Sequence, residues 1–178
     1  LVAGTPVKIN RGIMVDNQMQ TNVPDIYASG DVAEAYDFVL NMNRLLPLWP
    51  LAVEEGRVAG SNMAGQKATY AGGTNMSSLK YFSIPIVSIG NANPKPDDTS
   101  VEVMVKLDAE NNVYKKLVLK DNVIVGMTFV NCIERAGIFF NLMKKKINVK
   151  KFKQSLLSDD FGLAVLPLTL QRKMSVIQ

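Results

Sequence analysis

Residues 21–34 read Thr-Asn-Val-Pro-Asp-Ile-Tyr-Ala-Ser-Gly-Asp-Val-Ala-Glu, and this stretch governs the interpretation of the chain. Its Asn-Val-Pro start is a turn signal, and the apolar run at residues 26–28 is long enough for a buried strand. The run ends at Gly30, which permits a sharp bend and a close approach to a ligand. Asp31 is then expected beyond the carboxyl end of a strand, where α/β sheets bind ligands, and its carboxylate can accept hydrogen bonds from ligand hydroxyls. The alternative is a strand that ends in an Asx turn and binds nothing.

A second motif follows in the next part of the chain. Residues 34–40 have helical potential, and Leu48 and Trp49 then lie between two prolines. Pro50 suits the first turn of a helix because its missing N–H would be unpaired there. Apolar residues recur at three- and four-residue spacing, which predicts a helix over residues 51–62. Two glycines one turn apart within it lower the helix propensity by roughly 1 kcal/mol each, which predicts a close approach to a neighbouring element.

Together the two motifs resemble the second flavin-binding motif of the FAD-dependent pyridine nucleotide-disulfide oxidoreductases. In that family the Asp after the Gly accepts a hydrogen bond from the FAD ribityl chain, and the resemblance gives this role to Asp31. A family helix with the pattern Ala-x-x-x-Gly-Arg, here residues 52–57, points its N-terminus at the flavin pyrimidine carbonyl. Trp49 either packs near the isoalloxazine or fills the core. Taken alone, the helix favours an ordinary amphipathic helix, whereas its position about twenty residues after Gly30-Asp31 favours the ligand role. The FAD-contacting residues that the resemblance implies are Gly30, Asp31, Leu48, Trp49, Pro50 and Ala52.

Residues 71–75, Ala-Gly-Gly-Thr-Asn, predict a linker. The pattern of apolar and polar residues changes after them. Alternation and turn signals then predict edge-strand material at residues 81–89, a half-buried strand at 101–108, a strand at 113–119 and a central strand covered on both faces at 123–130. The last three strands are predicted to form a three-stranded sheet. A helix over residues 134–147 presents one apolar face. This segment resembles the C-terminal dimerisation domain of the same superfamily.

The resulting fold class is an α/β fragment of an FAD-binding Rossmann-like domain followed by an α+β, dimerisation-like domain with an antiparallel sheet. The expected domains are residues 1–75, the C-terminal portion of the FAD-binding domain, and residues 76–178. The chain starts at Leu1 rather than Met, and we expect it to be the C-terminal part of a longer flavoprotein, inactive by itself. It contains no Gly-x-Gly-x-x-Gly, the fingerprint of a dinucleotide pyrophosphate site, and no Cys-x-x-Cys redox pair.

The amino-acid composition limits the structural and functional classes to which the chain can belong. A hydrophobic fraction of 47% supports a packed core. Cys132 is the only cysteine, which excludes an intramolecular disulfide and indicates a buried structural thiol; a cytoplasmic location is expected. No apolar run suggests a membrane span. The lysines of residues 144–153 supply much of the net charge of +4, and they favour a solvated helix end over a nucleic-acid patch.

The resemblance implies an oxidoreductase of the branch that contains NADH oxidases, rubredoxin reductases and nitrite-reductase-like subunits. Such an enzyme takes hydride from NAD(P)H on FAD and passes electrons to an acceptor protein or a small molecule. With no histidine, the chain cannot supply the histidine-glutamate dyad of glutathione reductase-type enzymes. We expect a homodimer through residues after Ser77, because one helix covers one face of the sheet and residues 161–170 form an apolar tail. The alternative function is a non-catalytic interaction module in which Gly30-Asp31 is only a turn.

Overall fold

The computed structural model of the chain describes residues 2–175, with side chains up to Gln171. The chain divides into two compact units, Leu1–Asn75 and Met76–Gln178. Leu1 and residues 176–178 of the predicted domains lie outside the described residues.

The first unit is built on a three-stranded sheet and one long helix. Strands β1 (Ile13–Met14) and β2 (Ala33–Asp37) pair in parallel, and β2 pairs antiparallel with β3 (Met42–Leu45). Helix α1 (Trp49–Met63) follows and matches the helix predicted for residues 51–62. The buried core of this unit joins the sheet to the helix through Val15, Met19, Ala33, Ala35, Val58, Ala59 and Tyr70.

The predicted buried strand at residues 26–28 is wrong. Tyr27 makes only an isolated bridge to Gln20, and Ile26 is 42% exposed. Asp25 has a φ of +62°, and the amide of Ile26 donates to the carbonyl of Val23 at 3.3 Å. The turn therefore extends into the apolar run, and the run pairs with residue 20 instead of joining the sheet.

The helical potential assigned to residues 34–40 is also contradicted. Residues 34–37 lie in β2, where Glu34 and Asp37 are buried, and residues 38–40 form the turn after the strand. Glu34 accepts hydrogen bonds from backbone amides near residue 12, and the Asp37 carboxylate accepts from the amides of Val39 and Leu40 at 2.8 and 3.2 Å. These contacts and the pairing with β1 outweigh the local helix preference, which tertiary context commonly does.

The residues predicted as a linker are packed into the first unit instead. Gly72, Gly73 and Thr74 are buried. The backbone of Gly73 exchanges hydrogen bonds with its neighbours on β2: its amide donates to the carbonyl of Tyr36 at 3.0 Å, and its carbonyl accepts from Phe38 at 3.1 Å. A beta carbon at Gly73 would lie 2.5 Å from Leu51 Cδ1, so this segment passes too close to α1 for a larger residue.

The second unit is a five-stranded antiparallel sheet with one covering helix. The strands are β4 (Met76–Tyr81), β5 (Ile84–Gly90), β6 (Glu102–Asp108), β7 (Val113–Lys120) and β8 (Val123–Val130), in the spatial order β4-β5-β8-β7-β6. Helix α2 (Ala136–Lys144) packs against β8, and helix α3 (Leu168–Ser175) ends the described chain. The sheet thus has two more strands than the three predicted. The segment expected at an edge, residues 81–89, lies mostly in β5, which is internal.

The core of the second unit is aromatic. Phe129 on β8 meets Phe139 on α2 edge to face, with 4.9 Å between ring centroids, and Phe139 meets Phe161 at 5.1 Å. The Arg135 guanidinium donates to the carbonyls of Asp159 and Phe161 and thereby fixes the returning chain. The central position predicted for residues 123–130 is confirmed, but α2 packs on only one face of that strand.

The uncovered face of the sheet carries the apolar residues that were expected to be buried. Val103, Val105 and Leu107 are 48%, 52% and 68% exposed, whereas Met104 and Lys106 point to the helix-covered side. Alternation predicts that a strand has two different faces, but it does not say which face will be covered. Leu79 and Tyr81 on β4 lie on the same uncovered face and are 49% and 64% exposed.

Candidate functional site

Gly30, Asp31 and Val32 form a single 3-10 turn that enters β2. Gly30 has a φ of +77°, a backbone conformation that favours glycine. Two hydrogen bonds fix its peptide groups: the amide donates to Glu55 Oε2 at 2.8 Å, and the carbonyl accepts from the amide of Ala33. The turn is therefore fixed by one hydrogen bond to a side chain of α1 and by one hydrogen bond within the turn itself.

The Asp31 side chain is exposed. Within residues 2–175, no hydrogen-bond or ion-pair partner reaches its carboxylate. The group keeps its full capacity to accept hydrogen bonds, since an ionised carboxylate offers about four acceptor sites.

The start of α1 is open. Its N-cap, Leu48, has an extended backbone and no side-chain hydrogen bond, and Pro50 stands in the first turn. The first backbone N–H groups of a helix have no partner within it, so a polar ligand can accept from them. Trp49 is 81% exposed and Val53 is 58% exposed. Of the two interpretations left open for Trp49, the exposed ring contradicts the one in which it fills the core.

The structure brings the predicted residues into two neighbouring groups. A beta carbon at Gly30 would lie 3.5 Å from Ala52 Cβ, so the Gly30 turn contacts the end of the first turn of α1. Leu48, Trp49 and Pro50 form the start of the same helix. The close approach predicted for the helix glycines is not found. A beta carbon at Gly56 would make only an ordinary contact with Ser29 Oγ at 3.8 Å, and one at Gly60 would meet nothing within 4 Å.

Two buried carboxylates next to this turn were not recognised in the sequence. Glu34 is 3% exposed and accepts from the Gly12 amide at 2.7 Å, from the Arg11 amide and from Asn10 Nδ2. Burial acts to raise the pKa of Glu34, but these hydrogen bonds outweigh it and the pKa is lowered. Glu55 is 2% exposed, and its carboxylate accepts from the Gly30 amide. Burial raises the pKa of Glu55, and the Gly30 hydrogen bond only partly offsets this.

A buried tyrosine lies behind Glu55. Tyr70 is 3% exposed, and its hydroxyl interacts with the Glu55 carboxylate without a hydrogen bond of full geometry. Burial and the nearby carboxylates raise the pKa of Tyr70. Because the phenol stays neutral, it can offer its proton towards Glu55.

Among the described residues, the other candidate reactive groups do not form a site. Cys132 is half-buried, its thiol lies 3.6 Å from the carbonyl of Tyr114, and burial raises the pKa of the thiol, as expected for a structural cysteine.

Across the described part of the chain, His, Cys, Asp and Glu side chains do not form groups of three or more that could hold a metal ion. Up to residue 175, no helix combines the length and the apolar character needed to cross a membrane.

Comparisons with known proteins agree with the fold. Residues 2–56 match the family described as pyridine nucleotide-disulphide oxidoreductase, and residues 76–147 match the rubredoxin NAD+ reductase C-terminal domain. The chain is 28% identical over 152 residues to the nitrite reductase [NAD(P)H] of Bacillus subtilis (strain 168), with 85% of this chain and 18% of that protein covered. It is 32% identical over 150 residues to the NADH-rubredoxin oxidoreductase of Clostridium acetobutylicum, with 79% and 37% covered. The chain therefore spans well under half the length of these relatives.

Solved structures give the same result. The crystal structure of NADH:rubredoxin oxidoreductase from Clostridium acetobutylicum has a TM-score of 0.62 and 28% identity, covering 83% of this chain and 36% of that one. An FAD-dependent pyridine nucleotide-disulphide oxidoreductase from Desulfovibrio vulgaris has a TM-score of 0.72 at 21% identity, with 87% and 41% covered, and supports the fold alone. The chain belongs to the pyridine nucleotide-disulphide oxidoreductases, a family of FAD-dependent enzymes that use NAD(P)H.

Proposed function

We propose that this chain is the C-terminal part of an FAD-dependent NAD(P)H oxidoreductase and that its first unit holds part of the FAD. The observation that carries the proposal is the exposed Asp31 carboxylate, presented by a Gly30 turn that packs against the open start of α1. The residues that would contact FAD are Gly30, Asp31, Leu48, Trp49, Pro50 and Ala52.

The chemistry of these groups fits FAD. Asp31 can accept a hydrogen bond from a ribityl hydroxyl. The first amides of α1 can donate to a carbonyl oxygen and add the positive end of the helix dipole. Trp49 and Val53 expose apolar surface suited to a flat ring. A side chain at position 30 would be strained and would narrow the space between the turn and Ala52.

FAD, when bound, would supply the redox step by accepting hydride from NAD(P)H and passing electrons to an acceptor. The chain's own residues would bind and orient it. Because the sequence contains no Gly-x-Gly-x-x-Gly, the pyrophosphate and nicotinamide sites require residues that this chain does not supply. The chain by itself is therefore expected to be catalytically inactive.

Replacing Asp31 by alanine in the full-length protein tests the proposal. A charge-assisted hydrogen bond contributes roughly 1.5–3 kcal/mol, so the dissociation constant of FAD should rise about 10- to 100-fold. Flavin fluorescence quenching measures this constant. The matched control is Asp25→Asn, which removes an exposed charge from the same stretch and tolerates the positive φ there. Unchanged FAD affinity in Asp31→Ala would favour the alternative, a non-catalytic interaction module.

We further propose that the protein forms a homodimer through the second unit. The uncovered face of its sheet exposes Leu79, Tyr81, Val103, Val105 and Leu107. Exposed apolar surface of this kind commonly marks an interface, and a two-fold dimer is the most frequent arrangement.

Light scattering at micromolar concentration should give twice the mass of one chain. Val105→Glu should shift the protein to the monomer because it places a charge in the interface. The variant should still fold, because Lys116 lies opposite on β7 and offers a cross-strand partner of opposite charge. Ala109→Glu, in the exposed turn after β6, should leave the dimer intact. A monodisperse monomer in the wild-type protein would refute this interface.

A further inference from the structure

Glu55 lies at a position where a charged side chain is energetically unfavourable. It lies in the second turn of α1 and is 2% exposed, yet it carries a carboxylate next to the carboxylates of Asp31 and Glu54. An apolar side chain of the same length would fill this space without the cost of burying a charge. Packing of the helix against the turn therefore does not by itself call for a glutamate.

The carboxylate serves one specific backbone group. Glu55 Oε2 accepts the amide of Gly30 at 2.8 Å, across 25 residues of sequence. This amide belongs to the residue with a φ of +77°, directly before Asp31. Without an acceptor, the amide would be left unpaired in a partly buried position, which is unfavourable. The hydrogen bond thus favours the one backbone conformation that directs Asp31 outward.

Tyr70 lies near Glu55 and is held by its backbone, because its amide donates to the carbonyl of Asn17 at 2.7 Å. Its buried hydroxyl makes no hydrogen bond within the described residues, but it lies near enough to Glu55 for each group to influence the pKa of the other.

We propose that Glu55 is a positioning residue that holds the Gly30 turn in the conformation in which Asp31 can bind FAD. This inference rests on the proposed function, because it assigns to Glu55 the preorganisation of the same site. Glu55 itself is buried beneath the turn and acts through Gly30.

The test compares two replacements of similar size in the full-length protein. Glu55→Met keeps the length and helix propensity but offers no oxygen acceptor, whereas Glu55→Gln keeps an amide oxygen that can accept from Gly30. Glu54→Gln is the matched control, since it removes the neighbouring charge outside this contact. Two quantities are measured: hydrogen exchange of the Gly30 amide in the FAD-free protein, and the dissociation constant of FAD.

In Glu55→Met, the Gly30 amide should exchange about tenfold faster and the FAD dissociation constant should rise about tenfold. Glu55→Gln should rescue both values to within about threefold of the wild type, and Glu54→Gln should leave both unchanged. The exchange readout is independent of the cofactor and of activity.

The outcomes separate the two proposals. Wild-type FAD affinity in Glu55→Met, together with weak binding in Asp31→Ala, would overturn the positioning role and leave the proposed function standing. Unchanged affinity in both variants would overturn both proposals. A folded Glu55→Gln beside an unfolded Glu55→Met would assign Glu55 a purely structural role and would also overturn the positioning role.

Discussion

Replacing Gly126 by alanine should destabilise the second unit by about 3 kcal/mol, because a methyl group at this position has nowhere to go. A beta carbon there would lie 2.1 Å from the carbonyl oxygen of Asn91 and 2.8 Å from the amide nitrogen of Ala92. Both are backbone atoms, so no side chain can rotate away. The neighbouring amide of Asn91 also donates to the carbonyl of Val125 at 2.8 Å, and a shift of the loop would strain this bond.

Urea unfolding followed by circular dichroism measures the loss. Gly137→Ala is the matched control, since a beta carbon at Gly137 on α2 would meet nothing within 4 Å. Alanine should stabilise that exposed helical position by up to about 1 kcal/mol. Equal stability of the two variants would contradict the close approach of the loop to β8.

Replacing Glu34 by alanine should lower the free energy of unfolding of the first unit by about 3 kcal/mol, because the variant loses charge-assisted bonds and leaves a buried amide unpaired. The Gly12 amide, the Arg11 amide and Asn10 Nδ2 all donate to this one carboxylate, so its removal takes the acceptor away from three donors. Denaturant unfolding at neutral pH gives the magnitude.

The pH dependence of this effect has a defined sign. The pKa of Glu34 is lowered in the folded protein from its ordinary value of 4.5. Its contribution to stability is therefore fully present above that value and is lost as the pH falls through the folded pKa. The stability difference between the wild type and Glu34→Gln should be largest near pH 7 and should shrink below about pH 4. A difference that grows on acidification would contradict the assigned role of the carboxylate.

The sequence predicted correctly those parts of the fold that depend on residues close together in the chain. The Gly30-Asp31 turn and α1 follow from glycine, proline and apolar spacing. Strand β8 follows from a continuous apolar run that begins directly after a tight turn at Asp121-Asn122, which have φ values of +52° and +61°. These features depend on residues a few positions apart.

The incorrect or missed predictions concern contacts between residues that are far apart in the sequence. Glu34 and the Gly12 amide are 22 residues apart, and Glu55 and Gly30 are 25 apart, so spacing along the chain does not reveal that these acids are buried acceptors. Strand β3 has little alternation and exists because it pairs with β2. In the second unit, the alternating valines of β6 predicted a strand correctly, but the covered face depends on where α2 returns to the sheet.

The most direct test of the flavin assignment is the flavin content of the full-length protein, measured by absorbance after purification and reconstitution with FAD. The account predicts one FAD per chain and bleaching of the flavin absorbance when NADH or NADPH is added without oxygen. A colourless protein that takes up no FAD on reconstitution would contradict it.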